Sequence, residues 1–282
     1  MPAIPLNRYP DFFHYKPLSA EELDAFRRDG FLRLEHTLTD QGLETMRAEA
    51  MTAWDIEKGP ANPDRTRPSS SHLSLTDTTT WRAHHAKNSI LTNIHHHSET
   101  IRHYYFHGPL VDIATQIIGP NLKAVTAQLT FKMHGNTVPF LWHQDNTYGE
   151  LEPYTALTML TALDDTNVEN GCLWLIPGSH KRGPATLPDP EEKLAPLSRK
   201  LEVDETRAVP VPMKAGDALC FHCWMLHKSG GNHSDAHRRI LFMRFADADA
   251  VEVYNNKTPR LGRLLRGTTR FAEVEAYESD LL

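Results

Sequence analysis

A chain of 282 residues that is 40% hydrophobic and 23% charged can bury a sizeable core, as one large domain or two small ones. Its net charge of -6, without a basic stripe, argues against a nucleic-acid partner. With no apolar run of membrane-spanning length and no basic-then-apolar leader, the expectation is a soluble cytoplasmic protein with no membrane role. The cysteines Cys172, Cys220 and Cys223 are too few for a disulfide framework, and Cys220-x-x-Cys223, lacking a second pair, reads as two small strand residues.

Residues 1–17 carry aromatics and prolines without a period and read as an extended arm. Ser19-Ala20-Glu21-Glu22 is a capping box: Ser19 caps a helix, Glu22 reaches back, and Gly30 ends it after Leu23 and Phe26. A second helix is expected from about Asp40 to Glu57, with Leu43, Met46, Ala50 and Trp54 on one stripe. The Pro-, Ser- and Thr-rich run from Gly59 to Thr80 is long enough to be an active-site flap or a plain surface loop. His95-His96-His97 invites a metal reading, but adjacent side chains face different ways, so a solvated or partly packed segment is expected. Pro109 to Gly119 reads as a helix with Pro109 in its first turn.

After Pro120 the pattern alternates. Strands are expected over Ala124–His134, Pro139–His143, Tyr154–Leu163, Cys172–Ile176, Ala208–Met213, Ala218–Leu226 and Arg239–Phe245. Seven short strands with turn signals at Asn170-Gly171 and Pro177-Gly178 point to a mainly β sandwich or barrel with flanking helices. A Pro-rich insertion from Arg182 to Arg207 is a second possible lid. The organisation expected is one domain over 1–282: a helical N-terminal part (1–120), a β core (121–248) and a C-terminal extension (249–282).

The chemistry centres on Phe140-Leu141-Trp142-His143-Gln144-Asp145-Asn146. Residues two apart on a strand share a face, so His143 and Asp145 form half of a metal site. A second histidine would complete a 2-His-1-carboxylate set, which holds iron(II) with open positions for a cosubstrate and O2. His222 and His227 compete for that role; five apart on a regular strand, they face opposite sides. His227 precedes a Gly230-Gly231 turn, and the returning chain begins His237-Arg238-Arg239, which puts an arginine near the same mouth. A buried guanidinium binds a carboxylate through two parallel hydrogen bonds, as a 2-oxo diacid beside a metal would require.

These motifs, in this order, resemble the phytanoyl-CoA dioxygenase family of iron(II)/2-oxoglutarate-dependent oxygenases. The likeness runs from Leu23–Arg28 and Asp29-Gly30-Phe31 through His143-Gln144-Asp145, Asn170-Gly171-Cys172-Leu173 and Ile176-Pro177-Gly178-Ser179-His180. It closes with Gly216-Asp217, Phe221-His222, His227-Lys228-Ser229-Gly230-Gly231-Asn232 and Arg238. The resemblance implies a double-stranded β-helix, a cupin-like jelly roll, with Fe(II) on His143, Asp145 and His227, the last favoured over His222. It implies 2-oxoglutarate and O2 as cosubstrates, with Arg238 on the far carboxylate and Arg239 structural. Gln128, Thr130 and Lys132 alternate onto one strand face and are candidates for 2-oxoglutarate contacts, the alternative being ordinary strand polarity. Ser229 is a further candidate, or simple turn chemistry. Trp142, Tyr148 and Trp224 are candidates for the substrate pocket, although strand aromatics also fill cores. Related halogenases carry a small residue where Asp145 stands, so the expected reaction is hydroxylation of a small molecule, natural-product or amino-acid-derived, with release of succinate and CO2. Desaturation or cyclisation at the same centre is the alternative. Two other classes are a non-catalytic jelly-roll binding protein and a zinc hydrolase; the latter lacks a motif-placed general base. Neither 59–80 nor 183–206 carries a basic run suited to CoA phosphates, and nothing in the sequence sets the oligomeric state.

Overall fold

The capping box forms as its spacing requires. In the computed structural model, Ser19 Oγ accepts from Glu22 N at 3.2 Å, and the Glu22 carboxylate accepts from Ser19 N at 2.8 Å. This opens α1 (Ala20–Asp29), and Gly30 closes it at φ 83°, where a side chain would be strained. The structure describes residues 11–58, 89–146, 151–184, 203–253 and 255–281. The Gly59–Thr80 flap, most of the Arg182–Arg207 insertion and the start of the N-terminal arm lie outside them. Helix α2 (Asp40–Lys58) buries the stripe Leu43, Met46, Ala50 and Trp54.

A helix not foreseen in the sequence, α3 (Glu99–His107), follows the histidine run. Its aromatic-rich sequence has modest helix propensity, so packing and capping must supply its stability. Thr100, Ile101, Tyr104, Tyr105 and Phe106 are buried, and Ser98 Oγ accepts from Ile101 N at 3.0 Å. Glu49 of α2 accepts from Ser98 Oγ and from the backbone and hydroxyl of Thr100 at 3.0 and 2.6 Å. Helix α4 (Pro109–Ile118) follows directly, with proline in its first turn.

The strands are β1 (Phe31–Leu34), β2 (Ser89–Thr92), β3 (Leu122–Lys132), β4 (Phe140–His143), β5 (Leu151–Glu152), β6 (Leu157–Ala162), β7 (Leu173–Leu175), β8 (Val209–Val211), β9 (Ala218–His222), β10 (His227–Ser229), β11 (Arg238–Asp247), β12 (Val251–Glu252), β13 (Thr258–Pro259) and β14 (Arg263–Arg266); a short α5 (Ala272–Ala276) follows. The major sheet runs β1-β9-β6-β11-β3-β14, with β2 also on β3. The minor sheet runs β4-β10-β7-β8, and β13-β12-β5 form a small third sheet. All pairings are antiparallel. This is the double-stranded β-helix, but its major sheet also recruits β1 and β2 from the N-terminal part and β14 from the C-terminal extension.

Alternation along the central strands divides the molecule into layers. Leu129 and Phe131 of β3, Met159 of β6, Cys220 of β9 and Leu241 and Met243 of β11 join the helices in the largest core. Leu160, Leu219, Phe221 and Ile240 point the other way, into the space between the sheets, and meet Leu173 and Leu175 of β7. Cys220 and Cys223 fall into different clusters, and all three cysteines are free. No helix among the described residues is long and apolar enough to cross a membrane.

Two expectations change. The strand predicted over Ala218–Leu226 ends at His222, where Met225 N turns back to His222 O at 2.8 Å; the chain then enters the minor sheet as β10. Strands β10 and β11 are not a hairpin, because β10 pairs with β4 and β7 while β11 pairs with β3 and β6. The Gly230–His237 segment therefore crosses between sheets.

Glu49→Ala removes the acceptor of three donors at the start of α3 and is expected to lower stability by about 2–3 kcal/mol in denaturant unfolding. Asp24→Ala, which breaks an exposed Arg27 pair, should change it by no more than about 0.5 kcal/mol. Equal effects would sink the capping role.

Candidate metal centre

His143 ends β4 and stands directly opposite His227, the first residue of β10. Paired residues on neighbouring strands share a face, and the two rings lie 4.1 Å apart between centroids. Asp145 lies beyond the strand, so alternation does not account for its position; the segment around it is held from both sides. Gln144 Nε2 donates to Trp224 O at 2.7 Å and to Gly183 O at 2.9 Å. Asn146 N donates to Cys223 O at 3.1 Å, and its side-chain oxygen accepts from Leu151 N at 2.9 Å. Both side chains are buried. So anchored, Asp145 places Oδ1 3.8 Å from His143 Nε2 and 3.6 Å from His227 Nε2.

The ring orientations suit metal binding. His143 Nδ1 lies 2.7 Å from Leu141 O and His227 Nδ1 3.0 Å from Met225 O; carbonyls only accept, so each Nδ1–H donates and each Nε2 is turned toward Asp145. Burial and neighbouring His143 push His227 down to about 4, keeping it neutral. Burial pushes the Asp145 carboxyl up, but His227, Arg244, His143 and the Thr158 hydroxyl outweigh it and leave it below its ordinary range. Two imidazoles and one carboxylate, with donor atoms within 4.8 Å of one another, form a set able to hold a divalent ion.

Beside this set lies an excess of positive charge. Arg238 opens β11 and faces Lys132 across the ladder. They are 2% and 0% exposed, so both sit between the sheets. Among the described residues neither forms an ion pair with a carboxylate, and Arg238 Nε is buried without a hydrogen-bond partner. Lys132 Nζ donates to Ser229 Oγ at 2.8 Å and to Gly230 O. Burial, then the neighbouring Arg238, push Lys132 down to about 6. A buried guanidinium without a counter-ion is costly, and a carboxylate entering between Arg238 and Lys132 fits both basic groups. Gln128 and Thr130 lie on this same face of β3, opposite Phe242 and Ile240.

Other candidates fall elsewhere. Ser229 shares the inward face of β10 with His227, whereas Lys228 points outward and sets its ammonium 4.9 Å over the Trp142 ring. Trp142 therefore packs on the outer face of the minor sheet and does not line the metal site; Phe140 does face inward, its ring 5.1 Å from Lys132 Nζ. Trp224 is buried against Tyr154 in the cluster with Cys223 and Ala246, a core position rather than a pocket wall. Tyr148 lies outside the described residues. His222 ends its strand on the helix side with Cys220, its ring 5.3 Å from that of His180. Arg239 also faces that side, where Asp164 accepts from it at 2.8 and 2.6 Å.

Sequence reading passed over Thr158 and Arg244. Thr158 Oγ1 donates to Asp145 Oδ2, and Arg244, opposite Thr158 in the ladder, adds positive charge beside it. A signal existed: Arg244 has the parity of Arg238, Ile240 and Phe242 in an otherwise apolar run, so it points inward with them.

The sequence profile of the Phytanoyl-CoA dioxygenase (PhyH) family matches residues 26–240. The chain is 28% identical over 248 residues to the methylphosphonate hydroxylase of Gimesia maris, covering 84% of this chain and 85% of that one. It is 31% identical over 150 residues to phytanoyl-CoA dioxygenase domain-containing protein 1 of Danio rerio, covering 51% and 52%; the chain thus spans about half the length of the first curated relatives it matches. The crystal structure of EctD from S. alaskensis with 2-oxoglutarate and 5-hydroxyectoine superposes with a TM-score of 0.66 at 22% identity, over 93% of each chain, and shows the same fold. By the extent of the profile match, the chain belongs to the phytanoyl-CoA dioxygenase family.

Proposed function

We propose that this chain is a single catalytic domain that hydroxylates an unactivated C–H bond of a small molecule, natural-product or amino-acid-derived, using Fe(II), 2-oxoglutarate and O2. The observation that carries the reading is a His143–Asp145–His227 cluster beside two buried basic side chains, Arg238 and Lys132, that lack a carboxylate partner among the described residues. When bound, the iron would supply O2 activation coupled to conversion of 2-oxoglutarate to succinate and CO2, one atom of O2 entering succinate and the other the hydroxylated substrate.

The protein's part is positioning and electrostatics. Nε2 of His143, Nε2 of His227 and the Asp145 carboxylate would hold the metal, and the Leu141 and Met225 carbonyls orient the two rings. Thr158 engages Asp145 Oδ2, leaving Oδ1 toward the histidines. Arg238 and Lys132 hold the distal carboxylate of the cosubstrate, with Ser229 orienting the Lys132 ammonium. A carboxylate at position 145 occupies the coordination position that a small residue would leave to a halide, which favours hydroxylation. Desaturation or cyclisation would use the same residues.

Anaerobic addition of Fe(II) and 2-oxoglutarate should give a weak visible charge-transfer band. The band should vanish in His227→Ala. In Arg238→Ala, losing one partner of a buried charged contact at about 2–5 kcal/mol should weaken 2-oxoglutarate binding roughly 30-fold or more. Wild-type protein with bound metal and no band would refute the assignment.

Lys132 gives a second test. With its pKa near 6 it is largely neutral at pH 8 in the absence of cosubstrate, and an arriving carboxylate raises that pKa. Binding should therefore take up a proton, and affinity should fall as pH rises above 6, up to about tenfold per unit. Calorimetry in two buffers of different ionisation enthalpy should show uptake that Lys132→Met abolishes; equal heats in wild type would exclude the coupling.

A further inference from the structure

The histidine run before α3 is partly packed, one of the two forms expected for it: His95 is buried and the His96 side chain is exposed. A 3-10 turn, Ile94–His96, follows Asn93, whose φ of 54° is left-handed, and brings two of the three rings to one carboxylate. His96 Nε2 lies 2.8 Å from Glu278 Oε1; His95 Nε2 lies 3.5 Å from that oxygen and 3.4 Å from Oε2. His97 turns away to Glu57 at 3.5 Å. Glu278 comes from the C-terminal segment after α5 and has φ 51°, a left-handed conformation that a glutamate adopts only when its surroundings impose it. His95 is buried with its ring 5.5 Å from Tyr105 and 5.6 Å from Phe106, and its carbonyl accepts from Arg102 at 2.8 Å. Tyr105 and Phe106 belong to the helix-side core, on the opposite face of the major sheet from His143, Asp145 and His227.

We propose that His95, His96 and Glu278 form a second metal site, which takes a divalent ion of zinc-like character and ties the C-terminal segment to the turn before α3. Their donor atoms lie within 4.8 Å of one another. Two imidazoles and one carboxylate are a donor set zinc accepts, and bonds of about 2.0–2.1 Å in a tetrahedron separate ligand atoms by about 3.3 Å. The His95–Glu278 separations already match; the His96–Glu278 hydrogen bond opens by about 0.5 Å to admit the ion. The His96 side chain is 43% exposed, which gives the ion an entry path and water the fourth position.

The test is zinc stoichiometry and thermal stability of chelator-treated full-length protein, independent of turnover. Wild type should bind two zinc ions per chain and His96→Ala one. A His143→Ala/Asp145→Ala variant should keep one ion and gain Tm on adding zinc. Adding His96→Ala or Glu278→Gln to that variant should remove the Tm gain and weaken zinc binding more than about 100-fold, beyond the effect of losing an outer-shell partner. His96 is exposed, so its replacement leaves the fold intact, as circular dichroism would verify. A wild-type stoichiometry that His96→Ala and Glu278→Gln leave unchanged would overturn the proposal and reduce the contact to a histidine–carboxylate ion pair. A His143→Ala/Asp145→Ala variant that retains the fold but binds no zinc would do the same.

Discussion

The ladder between β11 and β3 is the constraint on which the rest depends. Ten residues of β11, Arg238 to Asp247, pair with Leu122 to Lys132 at the centre of the major sheet. Both faces of this sheet are buried, one under the helices and one under the minor sheet. A one-residue slip would turn Arg238 onto the helix core and Leu241 into the metal cavity. The helix-side row of Leu129, Phe131, Leu241 and Met243 opposes that slip, since exchanging it for Gln128, Thr130 and Phe242 would bury polar groups without partners. Register, set by hydrophobic burial, thereby aims Arg238 and Lys132.

The minor sheet solves a different problem. Its strands are three or four residues long, too short to hold a site by pairing alone. Side chains and carbonyls beyond the strand ends do the work instead: Gln144 and Asn146 tie the loop after β4 to the Cys223–Trp224 turn, and the carbonyls of Leu141 and Met225 orient the rings. Two short strands carry the histidines, and a buried polar network carries the aspartate.

Burying Arg238 without a counter-charge is destabilising, as is burying the Lys132 amine beside it, and a fold selected only for stability would place apolar residues there. The contrast with Arg239 is instructive. One residue along, on the opposite face, that guanidinium has its own carboxylate in Asp164. Neighbouring arginines on opposite faces thus differ in satisfaction: Arg239 is paired, and Arg238 Nε has no hydrogen-bond partner.

Much of this was legible in the linear sequence, because it rests on local physics. Capping chemistry set α1, amphipathic period set α2 and α4, and alternation located the central strands. His143, Asp145, His227 and Arg238 stood in motifs whose order identified the family. Other features were not legible. Helix α3 forms because Glu49, fifty residues away, caps it and its aromatics are buried. The break after His222 that separates it from His227 depends on a turn held by Ala156 and on pairing with a second sheet. Trp142 turns outward and Thr158 inward only once two sheets exist to define those directions. His95 and His96 converge because a carboxylate from the far end of the chain arrives between them. Sequence determined which side chains are available as metal or carboxylate ligands and which segments repeat with helical or strand period, since both are read from the residues and their near neighbours. Tertiary structure decided which side chains meet, because burial and charge pairing act between residues that only the completed sheets bring into contact.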